Sequence, residues 1–287
     1  VSIPVRDRTW AGVAAATTGA AFSPAVASGF VYDDHGFYSD NAALARPSIL
    51  WRAFADLSCQ RDNGVDPGLW RPLRTLSFAL DRALFGLGAT GPHAVNVVLH
   101  AASTALLFLL LRRFGIGAVA AFSGALLFGL HPVQTECVAW LSCRGDLLAM
   151  TLIFVAILLD LSGRTGLALA AGAAALLAKE QAIVWPALAW IASRLAGRDW
   201  RDATRRAVAP LAAVGVFLVL RKVVGVVNSQ EGGLGLGRAG APQIASMLGH
   251  QVWYSLVPVG ALFDWQMPWD VHPAPVVLAA TATVPAL

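Results

Sequence analysis

The residues of this chain best suited to chemistry are carboxylates and cations set beside apolar segments. Asp33 and Asp34 stand in FVYDDHGFYSDN, Phe30 to Asn41, directly after an apolar run. Charge next to hydrocarbon is costly, so it marks a site more often than a stretch of surface. A carboxylate in such a place can take a proton from a hydroxyl. Further along come Arg71, His93, His131, Glu136, Arg144, Asp146, Lys179 and Glu180. Of these, Arg71, Arg144 and Lys179 are the candidates to hold a phosphate through charge-assisted hydrogen bonds. A base and an anion holder are the two things that group transfer from a phosphate ester requires.

Plainer roles compete with each assignment. Asp33 and Asp34 suit a helix cap. Lys179 and Glu180 suit an ion pair that fixes a helix hairpin, and Arg144 with Asp146 a local pair. His93, His100 and His131 suit satisfied packing near helix ends. Cys137 and Cys143 read as small apolar residues of a tight loop, or as a pair in an oxidising compartment. His131, Glu136, Cys137 and Cys143 have the residue types of a zinc site, but their spacing fits no usual structural one. No cofactor or resident metal is expected, although Asp33, Asp34 and Glu136 offer the oxygen ligands that a divalent cation takes.

The elements that must position these groups are membrane helices. Hydrophobic residues make up 57% of the 287 and charged residues 13%, about half the share usual in a soluble domain; mean hydropathy is +0.63. Seven apolar runs read as helices: Trp10 to Gly29, Ala94 to Leu111, Gly117 to Leu130, Leu147 to Leu161, Gly166 to Ala178, Ala182 to Ala196 and Ala207 to Val227. Four are shorter than the roughly 20 residues that cross a bilayer, as fits helices whose ends enter a polar cavity. With the N-terminus inside, the short inner loops carry Arg6 and Arg8, Arg112 and Arg113, Arg164, and five arginines from Arg194 to Arg206, as the positive-inside rule asks. The candidate site residues then collect on the outer face. The net charge of +4 follows from this topology, and the scattered basic residues form no nucleic-acid footprint. An alternative for the N-terminus is a signal peptide with Ala25-Val26-Ala27 as its cleavage site.

A first outer loop, 32–92, is expected to hold interfacial helices, with Leu73 to Leu84 amphipathic and Trp51 and Trp70 at the membrane surface. A fourth outer loop, 228–272, is expected to hold another interfacial helix. Within it Gly235 to Gly240 matches G-x-G-x-x-G, but no strand precedes it, so it reads as a flexible loop. The chain starts at Val1 and stops at Leu287 inside another apolar run, as expected of part of a longer protein.

The chain resembles the membrane-embedded glycosyltransferases of the GT-C type, and among them the tetratricopeptide-containing O-mannosyltransferases that use a polyprenyl-phosphate sugar. The resemblance rests on VYDDHGFYSDN, WRPLRTLSFALDRALFGL, GPHAVNVVLH, ALLFGLHPVQTECVAWLSCRGDLLA, LLAKEQAI and LVPVGALFDWQMP, in that order from about Phe30 to Asp270. It implies an all-α, polytopic transmembrane bundle over 1–287, truncated at its C-terminus. It also implies transfer of a sugar, mannose in the family, from the lipid-linked donor to a Ser or Thr hydroxyl of a protein or peptide acceptor on the periplasmic or luminal side of the bilayer. The family's acidic positions fall on Asp33, as base, and Asp34. Lys179-Glu180 and Arg144-Gly145-Asp146 match family motifs, and so do His93, His100 and His131. No 34-residue repeat follows, which is a departure from the family. The rival reading is a non-enzymatic membrane protein, either a lipid-sugar transporter or a degenerate GT-C scaffold, and a transporter calls for charges midway along its helices.

Overall fold

The computed structural model describes residues 4–61 and 69–226. Those of Val1–Leu130 and Gln134–Val227 form one compact unit; a second comprises His131–Val133 and Asn228–Leu287. Of the second unit only His131–Val133 are described, and there the Val133 amide donates to His131 Nδ1 at 3.2 Å. The expected fourth outer loop, its glycine run and its interfacial helix lie outside the described residues.

Every regular element among the described residues is helical: α1 (Val5–Phe22), α2 (Ile49–Ala55), α3 (Pro72–Phe85), α4 (Thr90–Arg113), α5 (Ala118–Gly129), α6 (Gln134–Ala139), α7 (Arg144–Leu161), α8 (Thr165–Ala178), α9 (Trp185–Leu195) and α10 (Trp200–Val223). All seven apolar runs are thus helical. Three stretches among the described residues are long and apolar enough to cross a membrane: Thr90–Arg113, Leu141–Leu161 and Trp200–Val223. At 1.5 Å per residue, α5 and α8 span only about 18 and 21 Å, short of the hydrocarbon core of about 30 Å.

Helix α4 is central, flanked by α1, α5 and α7. Small residues allow the approach. Ala11, Ala14, Ala121 and Ala125 are buried, and a Cβ on Gly129 would fall 2.6 Å from Thr104 Oγ1. Between helices, where lipid removes the hydrophobic drive, such close backbone packing supplies much of the cohesion. His100 lies in this interface, its Nε2 2.8 Å from the Gly129 carbonyl and its ring edge-on to Phe22.

The hairpin of α7 and α8 sets the geometry of the site. Its turn, Ser162 to Arg164, includes Gly163 at φ +79°, a conformation natural to glycine. The two helices then run antiparallel and return Ala178 beside the start of α7. A Cβ on Gly145 would lie 3.0 Å from the Ala178 carbonyl. Asp146 and Asp160 mark opposite ends of α7, about 21 Å apart along its axis. Asp160 pairs with Arg198 and with Arg206, the latter at 3.0 Å, beside a cavity of about 270 Å³ lined by Asp160, Ser193, Arg205 and Arg206. Asp7 and Arg112 pair at 3.2 Å.

The first long loop is built from short helical pieces. The expected amphipathic segment is α3, whose buried residues Arg74, Phe78 and Asp81 recur at helical spacing. Trp51 is exposed, as expected of an interfacial residue, but Trp70 is buried. Its indole donates to the Phe54 carbonyl at 3.0 Å and stacks on Phe217 of α10 at 5.6 Å.

Candidate active site

The two adjacent aspartates have different surroundings. Tyr32, at φ +47°, is in the left-handed region that non-glycine residues enter at a cost and that clusters at functional sites. The chain then enters a helical turn. Asp33 remains partly open, its side chain 44% exposed and its Oδ1 3.2 Å from Arg61 Nη2. Asp34 is wholly buried. Its Oδ1 accepts the Ser142 amide at 2.8 Å and the Ser142 hydroxyl at 2.7 Å, and its Oδ2 accepts the Val31 amide at 3.1 Å. The Val31 bond is half of a capping box. Asp34 therefore ties the first loop to the turn before α7, and its lone pairs face donors of the chain itself.

Two local ion pairs anticipated from sequence are replaced by longer ones. Lys179 pairs with Asp146, and Glu180 takes a fork from Arg71 at 2.6 and 2.9 Å. The cause is Lys179 itself, extended at φ −158°, ψ 139°, which turns neighbouring side chains to opposite sides. Burial alone would raise the Glu180 carboxyl, but the Arg71 guanidinium outweighs it and holds the group down at about 2. Arg144 pairs not with Asp146, two residues away on the same helix and off its face, but with Asp81 at 2.8 Å. It also donates to Asn96 and to the Pro92 carbonyl. Fully buried, Arg144 joins α3, α4 and α7. Burial raises the Asp81 carboxyl and the Arg144 charge opposes that.

His93 and Glu136 take no part in these pairs. His93 is buried, with Nδ1 2.8 Å from the Ala89 carbonyl and Nε2 3.0 Å from that of Ala139, the geometry of a packing residue. Glu136 is exposed on α6. His131 belongs to the second unit.

Arg74 is the residue that the sequence reading passed over. It is 1% exposed, and its Nε and Nη2 donate to no group among the described residues. Its guanidinium rests on the Phe37 ring at 4.1 Å, where Arg61 also lies at 5.4 Å. Around it are Arg71, Glu180, Asp33 and Asp146, and the Gly145 Cβ position is 3.6 Å from both Arg74 Cδ and Lys179 Cδ. Burial, with Arg71 adding to it, pushes the guanidinium down to about 9, which leaves it charged at neutral pH. Its signal was a charged residue in phase with Phe78 and Asp81 on the apolar stripe of an amphipathic helix.

The site thus gathers Asp33, Asp146 and Glu180 with Arg61, Arg71, Arg74 and Lys179. The chain resembles the protein O-mannosyl-transferases. It is 39% identical over 124 residues to protein O-mannosyl-transferase Tmtc1 of Drosophila melanogaster, covering 42% of this chain and 14% of that protein. Tmtc2 of the same organism is 35% identical, over 42% of this chain and 13% of the relative. TMTC1 of Mus musculus is 34% identical over 160 residues, 52% of this chain and 16% of the relative. The matches span about a seventh of the length of these relatives. No family model matches the chain, and no solved structure matches it.

Three stretches long and apolar enough to cross a membrane, together with these relatives, suit a membrane protein.

Proposed function

We propose that this chain carries the base and the donor-phosphate pole of a membrane glycosyltransferase of the GT-C type, which moves mannose from a polyprenyl-phosphate carrier to a Ser or Thr hydroxyl at the outer membrane face. The observation that carries the reading is Arg74, a buried guanidinium whose Nε and Nη2 find no hydrogen-bond acceptor among the described residues, beside a half-exposed Asp33. An unpaired buried charge is costly, and a docked phosphate would supply the missing acceptor. The names of the relatives support the transfer of mannose to protein.

On this reading Asp33 accepts the proton of the acceptor hydroxyl as its oxygen attacks the sugar. The bond from the sugar to the phosphate oxygen breaks, and the carrier departs as a phosphate monoester. A phosphate leaves without a second carboxylic acid to protonate it, unlike the sugar leaving group in glycosidases. Negative charge builds on phosphate in the transition state, and fixed cations stabilise it there more than in the ground state. Arg74 is the first of these, with Arg71 and Lys179 at the rim. Arg144 serves from behind, through Asp81 and Asn96, by holding α3 and α4 against α7.

The transporter reading calls for charges midway along the helices, whereas Asp7 and Asp160 are paired at helix ends. The test uses the full chain in lipid with a labelled polyprenyl-phosphate mannose and a Ser/Thr peptide. Asp33→Asn is expected to bind donor with undiminished affinity and to lose transfer by at least about 100-fold. Arg74→Met is expected to weaken donor binding by about 10-fold or more. Normal transfer by Asp33→Asn removes it as base, and normal donor affinity in Arg74→Met removes the phosphate site.

A further inference from the structure

Cys137 and Cys143 lie in the segment that positions Asp34, and the reaction uses neither. Their sulfurs and an Asp146 carboxylate oxygen all fall within 4.8 Å of one another, and all three residues are half-buried. Both thiols are free. The seven residues from one to the other fold back on themselves: the Trp140 amide donates to the Glu136 carbonyl at 2.9 Å and the Cys143 amide to the Trp140 carbonyl at 3.1 Å.

The chain between them is the most heavily used connector of the site. The Val138 and Ala139 carbonyls lie against the side chains of Asn96 and His93. Ser142 gives Asp34 both its amide and its hydroxyl, and Arg144 follows directly. Leu141 is completely buried.

Two chemistries suit adjacent thiols with a carboxylate: a metal ion or a disulfide. The carboxylate decides between them. Asp146 already holds the Lys179 ammonium, so a divalent cation would have to displace that ammonium and then sit beside it. A disulfide needs neither and carries no charge. It needs the sulfurs, already within 4.8 Å of one another on two half-buried side chains, to close to about 2.0 Å. The hydrogen bond with the Cys143 thiol holds the Cys137 thiol below its ordinary value, against burial and the Asp146 and Glu136 carboxylates, with a smaller contribution from Lys179.

We infer that Cys137 and Cys143 form a disulfide that locks the turn holding Asp34. The oxidant class is a small-molecule disulfide such as oxidised glutathione. The Cys137 thiolate attacks one of its sulfurs and expels a glutathione thiolate. Cys143, losing its proton to that thiolate, then attacks Cys137 Sγ and expels the second glutathione. Two protein thiols lose two electrons and two protons, and one glutathione disulfide becomes two glutathione thiols. The bond persists where disulfides persist, in an oxidising compartment, which would put this face on the periplasmic or luminal side. The inference does not depend on the glycosyltransferase reading.

The experiment uses the full chain in nanodiscs, equilibrated with oxidised glutathione, quenched with N-ethylmaleimide and mapped by mass spectrometry. The expected product is a peptide pair joined through Cys137 and Cys143, two mass units lighter than the thiols, with Cys59 unmodified. Cys137→Ser should leave Cys143 either free or bearing one glutathione. In the oxidised wild type, amide exchange at Ser142 should slow by roughly 10-fold or more as the closed loop loses open states. Two free thiols at excess oxidant, or stable glutathione adducts on both, would overturn the inference. So would zinc taken up at one per chain, shielding both thiols from alkylation until a chelator is added and lost in Cys137→Ser.

Discussion

Replacing each of the adjacent aspartates by alanine should separate a structural carboxylate from a chemical one. In Asp34→Ala, the Ser142 amide, the Ser142 hydroxyl and the Val31 amide lose their acceptor within a buried site. Hydrogen bonds to a charged acceptor contribute roughly 1.5 to 3 kcal/mol each. The two at Oδ1 alone come to about 3 kcal/mol, near two powers of ten in the equilibrium for local opening. Native-state hydrogen exchange in nanodiscs should therefore find the Ser142 amide about 100-fold faster, together with its neighbours in the turn. Asp33→Ala removes one contact to Arg61 between side chains 44% and 37% exposed. Such surface pairs are worth about 0 to 1 kcal/mol, so exchange at Ser142 should stay within about fivefold of the wild type. Transfer activity should fall in both variants, but in Asp33→Ala without any change in the turn. Equal protection of Ser142 in the two variants would refute the assignment of Asp34 to the scaffold.

The two fully buried guanidiniums should respond oppositely to removal. Arg144→Met strands the Asp81 carboxylate and should cost about 3 to 5 kcal/mol, whereas Arg74→Met strands no partner and should be neutral or stabilising; unfolding in mixed micelles that ranks them the other way would contradict the charge map. The Glu180 carboxyl is depressed from 4.5 to about 2, so its pairing with Arg71 is fully stabilising above about pH 4.5 and is lost as pH falls towards 2. At neutral pH that amounts to about 2 to 3 kcal/mol. Glu180→Gln should flatten this part of the stability profile, and an unchanged acid slope in the variant would remove the pair as its source. Gly172 lies against the Trp185 ring, in the space a Cβ would occupy. Gly172→Ala should therefore lower stability by about 1 to 3 kcal/mol, as read by the midpoint of unfolding; an unchanged midpoint would mean that the α8–α9 contact is slack.

Much of the helix content was legible because apolar runs and amphipathic spacing report directly on burial. Helix α3 shows both the strength and the limit of that reading. Its stripe is plain in the sequence, yet Arg74 and Asp81 lie on that stripe, where charge is least expected. The ion pairs were misassigned where nearness in sequence stood in for nearness in space. Lys179 and Glu180 diverge because the backbone between them is extended, and Arg144 and Asp146 diverge because residues two apart on a helix do not share a face. Both reasons are local and were available in principle. The stacking of Trp70 on Phe217 was not, since it joins residues 147 positions apart. Nor was the engagement of Asp34 by Ser142 from 108 positions away. Adjacent aspartates read alike until a third element distinguishes them.

The charge balance of the cluster ties the proposed base to the proposed phosphate site. Among the described residues, Arg61, Arg71, Arg74 and Lys179 face Asp33, Asp146 and Glu180, with Arg221 also acting on Glu180, so positive charge is in excess, and Arg74 is the member that forms no ion pair there. A polyprenyl-phosphate sugar is a phosphodiester with one negative charge, which this excess would attract. When the bond to the sugar breaks, the carrier becomes a monoester with two negative charges. In the same step Asp33 takes the acceptor proton and loses its own charge, which frees Arg61. The cluster's excess positive charge thus grows by one as the negative charge of the phosphate grows by one. Proton transfer to Asp33 and charge growth on phosphate thus compensate each other within one low-dielectric site, where uncompensated charge is most costly. Separating the two groups by mutation should therefore be non-additive. With Asp33→Asn the charge lost on proton uptake is already absent, and Arg74→Met should then cost less in transfer than it does in the wild type.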